Sequence, residues 1–164
     1  MTKSRGEAAM LRAVPKNWLS TKYKVLEDDT TIAMVEPSSF REAARLTIKG
    51  SSYRAYREGL MSGAFILEIE GSILARAVKP SVFYRSFQVE HEGTQYILAA
   101  ESAWTRKFVL SERGVRLGSV YPENAMTRKA VVDFPEEISL PGRIFMFWLV
   151  MILWSGDSDS ASAS

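Results

Sequence analysis

Ser20-Thr21-Lys22-Tyr23-Lys24-Val25-Leu26, Ser62-Gly63-Ala64-Phe65-Ile66-Leu67 and Thr105-Arg106-Lys107-Phe108-Val109-Leu110 are three versions of one segment. Tyr23, Phe65 and Phe108 are 42 and then 43 residues apart. The register holds downstream: Ile32, Leu74 and Leu117 match, as do Pro37, Pro80 and Pro122 with one extra residue in the middle copy. Gly50 matches Gly93, and Tyr53 matches Tyr96. A fixed period in this range marks an array or a closed repeat structure.

Each copy reads as four strands. In the middle one, Ala64 to Glu68 alternates, Glu70-Gly71 turns, and Ile73 to Val78 alternates again. Lys79-Pro80-Ser81 breaks the chain, Phe87-Gln88-Val89 resumes, Glu92-Gly93 turns, and Gln95 to Ala99 completes the unit. Glu-Gly and Lys-Gly pairs between alternating runs are hairpin signals, because glycine takes the positive φ of a tight turn. Leu11-Arg12-Ala13 matches Tyr53-Arg54-Ala55, and Leu19-Ser20 matches Met61-Ser62, so the chain opens on the last strand of an incomplete unit. The third unit breaks at Phe134-Pro135-Glu136-Glu137 before a fourth strand. One strand, four, four and three make twelve, and the first strand is free to close the ring without an edge.

Ile144 to Trp154 is eleven consecutive apolar residues. As a helix it is about 16 Å long at 1.5 Å per residue, too short for a bilayer core of about 30 Å. Extending it backwards brings in Pro141, Gly142 and Arg143. A helix apolar on every face must be buried all round, and a twelve-stranded barrel is too wide for its own side chains to fill. Strands of roughly 6 residues at 3.3 Å make a wall about 20 Å tall, so helix and hole match. The expected fold is mainly β: a closed antiparallel barrel of three four-stranded repeats over residues 10–154, enclosing a helix at 143–154. The alternative is a membrane-attached protein anchored by 144–154. Residues 1–9 read as a flexible N-terminus without the apolar segment of a secretory signal. Residues 155–164 read as a disordered Ser/Ala/Gly/Asp tail.

The ordered repeats followed by Ile144 to Trp154 resemble the tubby C-terminal-like superfamily, which includes the LURP-one-related proteins and the phospholipid scramblases. The chain closely resembles bacterial members of that superfamily. Their repeats begin with segments like Ser62 to Leu67 and Lys107 to Leu110, and they close with an acidic-Leu-Pro stretch and a hydrophobic helix. The resemblance covers about residues 10 to 154 and implies a twelve-stranded barrel around that helix. Tubby proteins bind phosphoinositide headgroups through basic residues, although no residue of that pocket carries over to a matching position here. The cysteine-rich and calcium-binding segments of scramblases are absent, which argues against lipid scrambling.

Little else in the chain points to chemistry. Its 164 residues carry a net charge of +2, without the basic field of a nucleic-acid binder. It has no cysteine, which removes disulfides and thiolate chemistry and suits a reducing cytoplasm. There is no phosphate-binding glycine loop, no dinucleotide fingerprint and no paired-histidine spacing, so no cofactor or metal is expected. The one histidine, His91, lies beside the Glu92-Gly93 turn and reads as a solvated turn residue. Asp28-Asp29 and Glu136-Glu137 read as solvent-facing pairs, and no enzymatic activity is expected.

Charge is segregated, however. In an antiparallel meander alternate turns share an end, so Asp28-Asp29, Lys49-Gly50, Glu70-Gly71, Glu92-Gly93, Arg113-Gly114 and Glu136-Glu137 gather at one, mainly acidic. Arg41, Lys79, Arg85, Arg106, Lys107, Arg128 and Lys129 gather at the other, diluted by Glu42, Glu58, Glu101 and Glu123. Lys79, Arg85, Arg106, Lys107, Arg128 and Lys129 are therefore the candidate anion-binding rim. Its expected partner is an anionic phospholipid surface or a protein, with the molecule cytoplasmic and peripheral to the inner membrane face.

Overall fold

Short alternating runs separated by two-residue turns can pair only with their neighbours, and here they pair all the way round. The computed structural model describes residues 10–39, 42–59, 63–81 and 84–162. The N-terminal segment 1–9, Arg41, Met61-Ser62 and the last two residues of the expected tail lie outside the described residues. The strands are β1 (Leu11–Pro15), β2 (Tyr23–Glu27), β3 (Thr30–Pro37), β4 (Ala43–Ile48), β5 (Ser51–Glu58) and β6 (Ala64–Ile69). They continue as β7 (Ser72–Val78), β8 (Ser86–His91), β9 (Thr94–Ala100), β10 (Phe108–Glu112), β11 (Val115–Pro122) and β12 (Ala130–Asp133). A helix, α1 (Leu140–Ser162), ends the chain.

All twelve strands form one closed antiparallel barrel, and β1 seals it by pairing with β12, Leu11 opposite Val132 and Ala13 opposite Ala130. Closure leaves no unpaired edge. The turns at 28–29, 49–50, 70–71, 92–93 and 113–114 place both central residues at positive φ, the mirror-image turn whose twist suits a hairpin. One irregularity recurs with the sequence period. The ladder slips after Val25, after Leu67 and after Leu110, again 42 and 43 residues apart. These bulges add local twist, which helps a sheet to curl shut.

Small residues such as Ala13, Ala33, Ala55, Ala75 and Ala130 line the inner wall, so the strands alone would leave a void. Aromatic bulk from α1 occupies it. Ile144 to Val150 are all buried, whichever way each residue faces. Phe147 meets Tyr23 of β2 edge-on at 5.7 Å, and Trp148 meets Phe65 of β6 at 5.9 Å. Helix contacts also reach β4 and, through Gly142, His91 of β8. Over Ile144 to Val150 the helix is thus buried on every side and touches β2, β4, β6 and β8.

The helix is longer than its apolar stretch. It begins at Leu140 rather than at residue 143, because Ser139 caps it: its Oγ accepts the Gly142 N–H at 3.2 Å. Pro141 sits in the first turn, where no backbone donor is needed. It also continues from Ser155 to Ser162, where composition predicts a disordered tail. A helix already nucleated in a core extends at little further cost per residue, which carries α1 past its apolar stretch.

Candidate functional site

At the end of the barrel formed by the tight turns (the turn end), His91 is not solvated but buried. Its Nδ1 is 2.8 Å from the Leu74 carbonyl and its Nε2 is 2.7 Å from Ser139 Oγ. A carbonyl only accepts, so Nδ1 carries a proton and donates to Leu74, while Nε2 shares a hydrogen bond with the Ser139 hydroxyl. Gly142 leaves room for the ring: a Cβ there would lie 2.7 Å from it. The histidine thereby ties the cap of α1 to β7 and β8. Arg143, next along the helix, is also buried and donates from Nε to the Ile138 carbonyl at 2.9 Å. Burial pulls its pKa below the ordinary guanidinium value, against the opposing effect of Glu27 and Glu136.

The opposite end is made by the longer connections (the loop end), and there the six predicted rim residues come together. They divide into two groups. Arg85 and Arg128 occupy corresponding places, one residue before β8 and two before β12, and each fastens its own loop to a neighbour. Arg85 donates to the Thr105 carbonyl at 2.8 Å, and Arg128 to the Trp18 and Ser20 carbonyls at 2.9 and 2.5 Å. For Arg128, carbonyl partners engage the guanidinium without cancelling its charge. Arg106 lies over the Trp154 ring at 5.2 Å, while Trp154 Nε1 donates to the Arg106 carbonyl at 3.0 Å and moors the helix at this end. Lys107 pairs with Glu101 at 3.8 Å, whereas Lys79 and Lys129 have no ion pair among the described residues.

The four glutamates expected to dilute this rim are mostly answered elsewhere. Glu123 pairs with Arg12 at 2.7 Å, Glu42 with Arg57 at 2.9 Å and Glu58 with Arg76 at 3.4 Å. Glu101 is shared between Lys107 and Arg116, the latter at 3.1 Å. Arginines outside the rim set thus compensate the acids, and the loop end keeps its positive charge. On the outer wall of β3 to β5 lies an open groove of about 620 Å³, flanked by Lys22, Arg45, Arg54 and Tyr56. The Tyr56 hydroxyl donates to Glu68 at 2.7 Å, and that hydrogen bond, with burial, raises its pKa. No group of three or more His, Asp or Glu side chains among the described residues is arranged to hold a metal ion.

Sequence reading passes over one feature of the loop end. The connections 16–22, 101–107 and 123–129 close alike, with the N–H of Lys16, Glu101 and Glu123 bonded to the carbonyl of Lys22, Lys107 and Lys129. In each, a Ser or Thr hydroxyl (Ser20, Thr105, Thr127) accepts the N–H of that lysine at 3.0 Å. The residue before the hydroxyl is apolar and points outward: Leu19, Trp104 and Met126. The signal is legible as apolar-Ser/Thr-x-Lys, and it is easily dismissed as the approach to a strand.

Compared with known proteins, the chain matches no family model, no curated protein and no solved structure.

Proposed function

We propose that the protein is a non-catalytic binding or scaffold module of the tubby C-terminal-like kind, whose loop end recognises an anionic partner. That partner is an anionic lipid layer or an acidic protein face, met from the cytoplasm at the inner side of the membrane. The observation that supports this reading is the charge of Lys79, Arg106, Arg128 and Lys129, which no ion pair among the described residues offsets, on one end of the barrel. Cations that face one surface together act additively, each contributing about 1 kcal/mol near an anionic membrane. The anchor alternative has less behind it: no helix among the described residues is long and apolar enough to cross a membrane. The test is binding to phosphatidylserine vesicles and to a heparin column as salt is raised. Binding should fall steeply once the Debye length drops below about 8–10 Å, and Lys79→Gln/Arg106→Gln/Lys129→Gln should weaken it on both supports. Binding to neither at low salt would overturn the proposal.

A further inference from the structure

Resting on that reading of the loop end, we infer that its partner is a lipid bilayer surface. The apolar tips Trp18, Leu19, Trp104 and Met126 enter it, while the cations beside them meet its phosphate layer. Scattered apolar residues are normal on any protein surface, but here they are concentrated. Among the described residues the five most exposed large hydrophobic side chains are Trp104 (96%), Met126 (95%), Trp18 (83%), Leu19 (73%) and Tyr84 (69%), and all five sit in loops of this end. Those on the wall and at the turn end, Val115, Ile73, Met10 and Ile97, are 63% exposed or less.

The four loops concerned, after β1, β11, β9 and β7, are neighbours round the ring. Each also carries two cations: Lys16 and Lys22, Arg128 and Lys129, Arg106 and Lys107, Lys79 and Arg85. Apolar tips on separate loops, with charges between them, make a poor template for a flat protein face, which would have to bury those charges. A bilayer offers both environments at different depths, an acyl boundary for Trp, Leu and Met and an anionic layer above it for Lys and Arg. The tips are also set before contact. Asn17 Oδ1 accepts the Leu19 N–H at 3.2 Å, Asn124 Oδ1 accepts the Met126 N–H at 3.0 Å, and Arg128 holds the Trp18 carbonyl. Little ordering entropy is then lost on docking.

The test uses the full chain with phosphatidylcholine vesicles, with and without phosphatidylserine. Sedimentation reads binding, and lipids brominated along the acyl chain read depth by quenching tryptophan. The expected result is binding to the anionic vesicles with quenching, most of which disappears in Trp18→Phe/Trp104→Phe. Leu19→Ser/Trp104→Ser/Met126→Ser should weaken binding by at least about tenfold, since it removes the apolar area that leaves water, with an unchanged melting temperature. Undiminished binding by that variant, or binding without quenching, overturns the inference. The anionic reading then survives if the Lys79/Arg106/Lys129 variant still loses binding. Absence of vesicle binding at low salt overturns it too, and retention on heparin then shows whether the cationic end takes anions of another kind.

Discussion

Replacing Leu149 tests where α1 lies. The side chain is fully buried, in one cluster with Leu46, Phe65, Leu98 and Trp148. Leu149→Ala removes buried apolar volume and leaves a cavity, a cost of about 2–5 kcal/mol. In a chain of this size each kcal/mol moves the melting temperature by about 2–4 °C, so a fall of about 4–20 °C is expected. Leu149→Asp adds the desolvation of a carboxyl group with no partner, about 1–3 kcal/mol even when it stays protonated. The sum, about 3–8 kcal/mol, approaches the 5–15 kcal/mol that holds a typical domain together. Urea and thermal unfolding followed by circular dichroism measure it, with Ile97→Asp as the control. Ile97 faces outward on β9 and is half exposed, so that change should cost only about 1 kcal/mol. A Leu149→Asp protein that unfolds cooperatively within about a degree of the parent would refute the placement of the helix inside the barrel. The same outcome would revive the anchor alternative, in which the apolar segment is held by lipid.

Gly118→Ala should destabilise by about 1–3 kcal/mol or more, because its Cβ would fall within the shell of the Asp133 carbonyl, which is backbone and cannot swing aside. Gly71→Ala has open space around it but keeps a φ of +82°, so its cost is backbone strain of about 1 kcal/mol; chemical denaturation of the two variants separates the causes. Arg128→Gln should lower the melting temperature, since it frees the Trp18 and Ser20 carbonyls, whereas Lys129→Gln should leave it unchanged and reduce anion binding alone. Equal melting temperatures for these two would show that the loop-to-loop bonds add nothing to stability. Removing residues 155–164 should not alter the melting temperature, because Trp154 is the last large apolar residue. It should tighten binding to anionic vesicles, since it deletes Asp157 and Asp159 from a segment that leaves the barrel at the loop end.

Strand count, strand order and the tight turns were legible in the sequence because their causes are local. Period-two alternation marks a strand, and Asp-Asp or X-Gly between two strands marks a mirror-image hairpin. Even closure by β1 followed from the match of Leu11-Arg12-Ala13 to Tyr53-Arg54-Ala55. The apolar run 144–154 announced a helix needing burial on all sides, but its ends depended on a Ser139 cap and on propagation beyond Trp154. What tertiary structure alone decided is which charges cancel. Arg12 and Glu123 are 111 residues apart, and Arg128 reaches Trp18 across 110, so sequence proximity carries no information about either pair. The same holds for His91, a turn residue by its neighbours and a buried clamp by its contact with Ser139, 48 residues on. Alternation and turn chemistry act over a few residues and survive in the sequence as patterns. Charge pairing acts over a few ångströms between strands, and only the closed ring determines which side chains come that close.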